Sequence, residues 1–197
     1  MRRSVRNQIA LAALAALLLA PVPRTARAAD LEPREYLDQD TAATVTVVAR
    51  PLVFAYPRTE LAANARDYVT LAAAAVNRNG KISFVAIVYF WSTVDPRMRT
   101  DPLPAPEPLI LQADDRRIEL RLRGQSAHDA GIGVAVHTPA GTAATPQVYG
   151  MDLATLRFVA EARHLTVFAR SNGTLVDYPL WDDRRGALRA FVQHMGG

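Results

Sequence analysis

The chain has 197 residues, half of them hydrophobic, with 23 lysine and arginine side chains against 19 aspartate and glutamate side chains. Five of those cations and none of the acids lie in residues 1–28, so residues 29–197 carry 18 cations against 19 acids and are close to neutral. This balance excludes a strongly basic nucleic-acid-binding domain, and the absence of cysteine excludes disulfides, thiol nucleophiles and thiolate metal sites.

Residues 1–28 have the pattern of a secretory signal peptide. Three arginines within the first six residues precede the apolar run 9–20, and Ala26-Arg27-Ala28 has the small-x-small form of a cleavage site. The run is shorter than the roughly 20 residues that a bilayer-spanning helix needs. We therefore predict export, cleavage after Ala28, a periplasmic or extracellular location, and no transmembrane segment once the signal is removed.

Residues 29–197 are numerous enough for one ordinary hydrophobic core, and we predict a single globular domain. Its first strand signal is the β-branched stretch 44–48, which Pro51 separates from a second apolar stretch at 52–56. Because proline cannot donate a ladder hydrogen bond, this region predicts an edge strand or two short strands that meet at a bend.

The stretch from Asp67 to Asp95 has the strongest strand signal. Two apolar runs flank the sequence Asn-Arg-Asn-Gly at 77–80, which is typical of a β-hairpin turn. The second run, Ile82–Trp91, is apolar at consecutive positions. A strand of that kind is covered on both faces, so we predict that this run is a central strand of the sheet.

The second half of the chain contains two further hairpin signals, at Asp114-Asp115-Arg116 and at Ser171-Asn172-Gly173. The arm that follows the first turn, residues 118–123, alternates between aliphatic and charged side chains, which predicts a strand with one face in water. Residues 131–138 and 147–151 predict two more strands.

Two helices are predicted near the C-terminus, with Asp152 and Asp182 as their N-caps. Three hairpins favour antiparallel pairing, since parallel strands need long crossovers. We predict a mainly β fold, either an antiparallel β-sandwich or a curled sheet, with two helices in the C-terminal region. The alternative is an α+β fold with a single antiparallel sheet.

No stretch of the sequence has the spacing of a catalytic or metal site. Ser126, His128 and Asp129 bring together the residue types of a hydrolase triad, but a polar loop surrounds them rather than a strand-to-helix elbow. The four histidines form no pair at the spacing that places two ligands on one helix face. We predict no catalytic residue, no metal and no cofactor.

Two groups of residues predict binding. The first is at the end of the central strand, where aromatic and arginine side chains meet a proline-rich loop, and these residue types are enriched at binding hot spots. The second is a row of arginines on the wet face of the 118–123 arm, which suits an anionic ligand or a solvated face that resists edge aggregation. The predicted binding residues are Trp91, Arg97, Arg99, Arg117, Arg121 and Arg123.

The sequence therefore predicts an exported periplasmic protein that acts as a binding or structural module without catalytic activity. Its expected partner is another envelope protein or an anionic envelope ligand. The alternative is a periplasmic, hydrolase-like enzyme with a dispersed active site. A pocket of converging histidine, aspartate or arginine side chains would favour the enzyme, and a flat or grooved aromatic-cationic surface would favour the binding module.

Overall fold

The computed structural model describes residues 30–197 except 102, 104–107, 142–143 and 172; the predicted signal peptide lies outside the described residues. The described part of the chain forms eleven strands and two helices. The strands are β1 (Arg34–Asp38), β2 (Ala43–Val47), β3 (Leu52–Pro57), β4 (Arg66–Arg78), β5 (Lys81–Ser92), β6 (Leu109–Ala113), β7 (Arg116–Leu120), β8 (Leu122–Gly124), β9 (Pro146–Met151), β10 (Leu165–Ser171) and β11 (Thr174–Asp182). The helices are α1 (Leu153–Glu161) and α2 (Arg185–Gly196).

All strand pairs are antiparallel, and the strands form one sheet in the order β7-β6-β10-β11-β3-β4-β5-β9-β8. Strand β2 pairs with the second half of β4, beyond the part of β4 that pairs with β3, and β1 flanks β2. The two ends of the order, β7 and β8, are joined through Arg121 alone, whose carbonyl oxygen accepts a 3.0 Å hydrogen bond from the Gly150 N–H. The sheet is therefore curled into a nearly closed barrel.

The central hairpin is formed by β4 and β5, as the sequence predicts. The strands pair from Asp67 opposite Ser92 to Arg78 opposite Lys81. The chain reverses at Asn79 and Gly80, with φ of 51° and 81°. Two-residue hairpin turns need such left-handed conformations at both positions, because the turn then matches the twist of the two strands. Asparagine and glycine tolerate a positive φ best.

Both faces of this hairpin are covered. Alternate side chains on the inner face join the main core inside the barrel. Side chains on the outer face, including Ile87, join a second core cluster that is closed by Ile132 and Val136 from the segment between β8 and β9. The prediction of a central strand at residues 82–91 is therefore confirmed.

The predicted strand at residues 131–138 is wrong. This segment is a loop that turns at Gly131 and at His137, with φ of 81° and 55°. It places Ile132 and Val136 against the outer face of the sheet and leaves Val134 exposed. Apolar residues two positions apart predict a strand, but the same pattern also fits a loop that covers a sheet.

The two helices close the main core. Leu156 and Val159 of α1 and Phe191 and Val192 of α2 pack against the side chains inside the barrel. The Asp152 carboxylate accepts a 2.6 Å hydrogen bond from the Thr155 N–H, so the predicted N-cap of α1 is confirmed.

The predicted N-cap of the last helix is wrong. Asp182 is still part of β11, where its side chain pairs with Arg184 at 2.9 Å. The helix begins three residues later, and the Asp183 carboxylate accepts a 3.0 Å hydrogen bond from the Arg185 N–H. The strand continues because the pairing with β3 extends to Asp182, which local capping rules do not reveal.

The structure confirms a mainly β, antiparallel fold with a curled sheet and two helices near the C-terminus. Of the two predicted forms, a sandwich and a curled sheet, the curled sheet is the one observed. Across the described residues, none of the helices combines the length and apolarity needed to cross a lipid bilayer.

Two aspartates join loops to the sheet through backbone hydrogen bonds. Burial of Asp38 disfavours its charged form, yet donation from the N–H groups of Gly133 at 2.7 Å and Thr41 at 3.0 Å holds the pKa of Asp38 below its usual value. The N–H groups of His164 and Arg163, at 2.8 Å and 2.9 Å, lower the pKa of Asp114 in the same way.

We expect the protein to lose stability in acid for this reason. A carboxylate with a lower pKa when folded stabilises the fold above its unfolded pKa of about 4, and this stabilisation is lost as the pH falls through the folded value. Melting temperatures measured by circular dichroism should stay nearly constant from pH 7 to about pH 5 and fall below about pH 4. In Asp114→Asn the fall should be shallower. A melting temperature that rises below pH 4 would contradict this assignment.

Candidate binding site

The indole of Trp91 is held in place at the end of β5. Its ring stacks on Tyr68, the residue directly opposite on β4, with centroids 4.2 Å apart and planes inclined by 12°. The Trp91 Nε1–H donates a 2.9 Å hydrogen bond to Thr70 Oγ1. These two contacts fix the ring while leaving it partly exposed.

A cleft of about 620 Å³ opens beside Trp91, where β5 meets the loop that follows it. This volume lies within the range of roughly 300–1,000 Å³ that is typical of small-ligand pockets. Apolar side chains make up most of the lining, and a guanidinium, a carboxylate and two hydroxyls complete it. The lining residues are Phe90, Trp91, Ser92, Val94, Pro96, Arg99, Thr100, Asp101, Leu103, Gly141 and Ala144.

A buried ionic network holds the loop against the end of the sheet. Asp67 on β4, with a side chain only 4% exposed, lies between two guanidinium groups, 2.9 Å from Arg58 Nη1 and 2.5 Å from Arg99 Nη1. The Ser92 hydroxyl donates to the same carboxylate at 2.5 Å. One acid therefore joins β5 and two loops.

Asp101 extends this network. Its carboxylate accepts hydrogen bonds from Arg58 at 2.9 Å and 3.1 Å, and these bonds are the main reason why the pKa of Asp101 is lowered. Arg99 Nε donates to the Asp101 carbonyl oxygen at 3.2 Å. Because Arg99 and Asp101 both belong to this network, the part of the cleft wall that they form exists before any ligand binds.

The structure brings two of the six predicted binding residues to the cleft, Trp91 and Arg99. Arg99 is not a free cation, because its side chain is 8% exposed and belongs to the ionic network. Arg97 is 92% exposed, lies 3.6 Å from the Asp95 carboxylate and does not line the cleft, although its neighbour Pro96 does. The arginine that is available to a ligand is therefore Arg97.

The other three predicted residues lie on β7, β8 and the residue between them. Arg117, Arg121 and Arg123 are exposed, and the aliphatic residues between them are buried or half-buried, which confirms the predicted alternation. The Arg117 guanidinium lies 5.9 Å from the centre of the Phe168 ring. None of the three lines the cleft, so a binding role for this row stays a separate prediction.

One exposed tryptophan is not among the predicted binding residues. Trp181, 59% exposed, lies where the pairing of β11 with β3 shifts register between Leu180 and Asp182. The Arg66 guanidinium lies 4.6 Å from the centre of its ring. The alternation along β11 continues through residues 179–182, and this is the sequence signal that places Trp181 in the strand.

Ser126 and Asp129, two of the three residues that resemble a hydrolase triad, have structural roles. The Ser126 hydroxyl accepts a 3.3 Å hydrogen bond from the Asp129 N–H, and the Asp129 carboxylate accepts one from the Ser126 N–H at 3.0 Å. Together they cap the 3-10 turn Ala127–Ala130. Within the part of the chain that the structure describes, no three acidic or histidine side chains are grouped as metal ligands.

A second cleft, of about 430 Å³, is charged rather than apolar. Its acids Asp30 and Asp182 pair with Arg50 and Arg184 at 2.7 Å and 2.9 Å. Burial lowers the pKa of His137, so its ring is neutral near pH 7 and Nε2–H donates to the Val48 carbonyl oxygen at 2.7 Å. Five of the seven charged or titratable side chains of this cleft thus have partners, and Glu32 and Arg34 complete the set.

Comparison with protein-family models, with curated proteins and with solved structures found no match for this chain. Its function is therefore inferred from the chemistry of the cleft and its surroundings.

Proposed function

We propose that this chain is an exported binding protein that holds an apolar group of its ligand in the cleft beside Trp91. The observation that supports this function is the combination of an apolar lining with a preformed wall. An apolar group that enters the cleft leaves water, which is favourable by about 25 cal/mol per Å² of buried apolar surface. Because the Trp91 ring and the ionic network are already ordered, little conformational entropy is lost when the ligand binds.

An exposed arginine next to the lining residue Pro96 favours a ligand that is also anionic. Arg97 is almost fully exposed, and its distance of 3.6 Å to an exposed Asp95 makes this a weak ion pair. A negative group next to the apolar part of the ligand can replace that pairing. The proposed ligand is therefore an amphipathic, negatively charged component of the envelope, either a molecule or a segment of another envelope protein.

The fluorescent dye ANS (anilinonaphthalene sulfonate) combines these two features and serves as the probe. We expect saturable one-to-one binding of ANS with a micromolar Kd. The exposed Thr100 lines the cleft, so Thr100→Tyr should fill part of it and weaken binding about tenfold, equivalent to about 1.4 kcal/mol. Fluorescence titration at constant protein concentration measures the Kd of the parent protein and that of Thr100→Tyr.

The matched control is Thr59→Tyr, at an exposed threonine outside the cleft. It should bind ANS like the parent protein, and all three proteins should have the same melting temperature. Equal affinities for the parent and Thr100→Tyr would place the dye elsewhere and contradict the proposed site. Arg97→Ala should weaken ANS binding without lowering the melting temperature, since its side chain is in water.

Export has its own test. The proposal requires that the mature protein begin at Ala29, because Ala26-Arg27-Ala28 has the form of a signal-peptidase site. N-terminal sequencing of the protein from a periplasmic extract should therefore start at Ala29. Recovery of the chain with Met1 intact in the cytoplasmic fraction would contradict export while leaving the cleft untouched.

A further inference from the structure

A further apolar cleft, the Met98 cleft, has a volume of about 420 Å³ and adjoins the cleft beside Trp91. Its lining comes from the segment that follows β5 and from the loop between β3 and β4, and most of these side chains are apolar. The lining residues are Leu61, Ala62, Asn64, Ala65, Thr93, Val94, Asp95 and Met98. Val94 also lines the cleft beside Trp91, so the two clefts meet at this residue.

The segment that the two clefts share is held by backbone hydrogen bonds. The Thr93 N–H donates to the Arg66 carbonyl oxygen at 3.0 Å, and the Met98 N–H donates to that of Asp95 at 2.8 Å. The Asp95 carboxylate accepts a further hydrogen bond from the Arg97 N–H at 2.9 Å. The wall between the two clefts is therefore ordered before any ligand binds.

An exposed cation lies between lining residues of the two clefts. Pro96 lines the cleft beside Trp91, Met98 lines the Met98 cleft, and Arg97 lies between them in the sequence. The Arg97 side chain is 92% exposed and only weakly paired with Asp95, at 3.6 Å. Met98 is itself 65% exposed, so an apolar group that binds there removes it from water. The arrangement thus combines two apolar surfaces with one exposed positive charge.

We propose that the ligand is a single molecule of a two-chain anionic lipid, with one acyl chain in each cleft and its headgroup phosphate at Arg97. This inference rests on the proposed function and names the class of its ligand. The two chains of such a lipid diverge from one glycerol unit, as the two clefts diverge from Val94. Its phosphate replaces the Asp95 carboxylate as the partner of the Arg97 guanidinium.

The use of both clefts distinguishes a two-chain ligand from a one-chain ligand. A molecule with one apolar chain fills one cleft and leaves the other in water. When two chains are joined, binding of the first raises the effective concentration of the second at its own cleft, so the affinity of the whole exceeds that of either chain alone. Because one arginine serves both clefts, we expect one lipid molecule for each protein chain.

Short-chain lipids test this inference, because they dissolve as single molecules at low concentration. Isothermal titration calorimetry compares dihexanoyl phosphatidylglycerol with monohexanoyl lysophosphatidylglycerol, which has the same headgroup and one chain. We expect the two-chain lipid to bind more tightly by about tenfold or more. Each methylene added to a buried chain should strengthen binding about fourfold. Extension of both chains from hexanoyl to heptanoyl should therefore strengthen binding about sixteenfold, against about fourfold for the one-chain lipid.

A substitution in the Met98 cleft separates the two chains. Asn64 is exposed and lines only this one of the two clefts, so Asn64→Trp should fill part of it. Binding of the two-chain lipid should weaken about tenfold, whereas ANS should bind as it does to the parent protein. The matched control is Gln193→Trp, at an exposed amide side chain on α2 that lines neither cleft. It should change neither affinity, and all three proteins should have the same melting temperature.

The headgroup is tested through its charge. Arg97→Ala should weaken binding of dihexanoyl phosphatidylglycerol about fivefold. The effect on dihexanoyl phosphatidylcholine should be smaller, because its chains are the same but its headgroup has no net charge. Equal effects on the two lipids would contradict the placement of the phosphate at Arg97.

Equal affinities for the two-chain and one-chain lipids would overturn the inference, since the Met98 cleft would then hold no chain. Undiminished binding of the two-chain lipid by Asn64→Trp would also overturn it, as would binding to phosphatidylglycerol vesicles without binding to the dissolved lipids. None of these results affects the titration of Thr100→Tyr with ANS, so the cleft beside Trp91 can remain a binding site when the two-chain ligand fails. If Thr100→Tyr bound both ANS and the two-chain lipid like the parent protein, the proposed function and this inference would fail together.

Discussion

Replacement of Ile87 by aspartate is expected to unfold the protein at room temperature or to lower its melting temperature by tens of degrees. Ile87 is fully buried in the middle of β5, between Ala72 on β4 and Val148 on β9, and belongs to the outer core cluster. The described members of that cluster are hydrophobic side chains, which offer no counter-charge to a new carboxylate. An unpaired buried charge costs several kcal/mol, which is a large part of a typical folding stability of about 5–15 kcal/mol.

The matched control introduces the same charge at Arg121, whose side chain is exposed and whose hydrogen bond to Gly150 uses only the backbone. We expect Arg121→Asp to change the unfolding free energy by less than about 1 kcal/mol. Urea unfolding monitored by circular dichroism measures both variants. Similar losses at the two positions would mean that the outer face of the central hairpin is not covered as described.

Replacement of Asp67 by alanine is expected to cost about 3–5 kcal/mol, because removal of one partner leaves buried charge without compensation. Its carboxylate contacts both Arg58 and Arg99, and all three side chains are largely buried. Loss of the acid leaves two guanidinium groups next to each other with Asp101 as their shared partner. The loop after β5 should then detach from the sheet, and ANS binding in the cleft should weaken along with stability.

Asp95→Ala is the control for this prediction. Asp95 is also an acid near the cleft, but it is exposed, and its ion pair with Arg97 is worth less than about 1 kcal/mol. Urea unfolding should separate the two variants clearly. If Asp67→Ala were no less stable than Asp95→Ala, the network would not hold the loop, and the cleft would not be preformed.

Because Arg99 belongs to this network, its substitution affects stability as well as binding. The sequence predicts Arg97 and Arg99 as equivalent surface cations, so that loss of both would spare stability. The structure shows that Arg99 is bonded to Asp67, Ser92 and Asp101. Arg99→Ala should therefore lower the melting temperature, and only Arg97→Ala separates ligand binding from folding.

The three hairpins could be predicted because their signals are local. Asn79-Gly80, for example, specifies its turn through the conformations that these two residues tolerate. Trp91 could be predicted as a rim residue because it ends the most apolar strand. The Asp67 network could not, since the partners of Asp67 lie 9 to 32 positions away in the sequence, and sequence spacing does not select which of many charged residues meet.

The loop at 131–138 shows a different limit. Its apolar residues are spaced like those of a strand, and only the positive φ at Gly131 and His137 tells the two apart. Glycine tolerates such a conformation at residue 131, but a positive φ is a minority conformation for every other residue type, including the histidine at residue 137, so the sequence does not specify it there. The residues that close the outer core were therefore identified correctly as apolar and assigned to the wrong kind of element.

The connection between β7 and β8 at Arg121 determines where new chain termini can be introduced without exposing strand edges. Residues 116–124 pair with β6 through their first half and with β9 through their second, so one stretch of backbone serves as both the first and the last strand of the ring. New chain termini at Arg121 would separate β7 from β8 and turn the nearly closed sheet into an open sheet with two edge strands. Unpaired edge strands pair with other chains. A circular permutant with its termini at Arg121 should therefore self-associate, whereas one with its termini at the Asn79-Gly80 turn should remain monomeric.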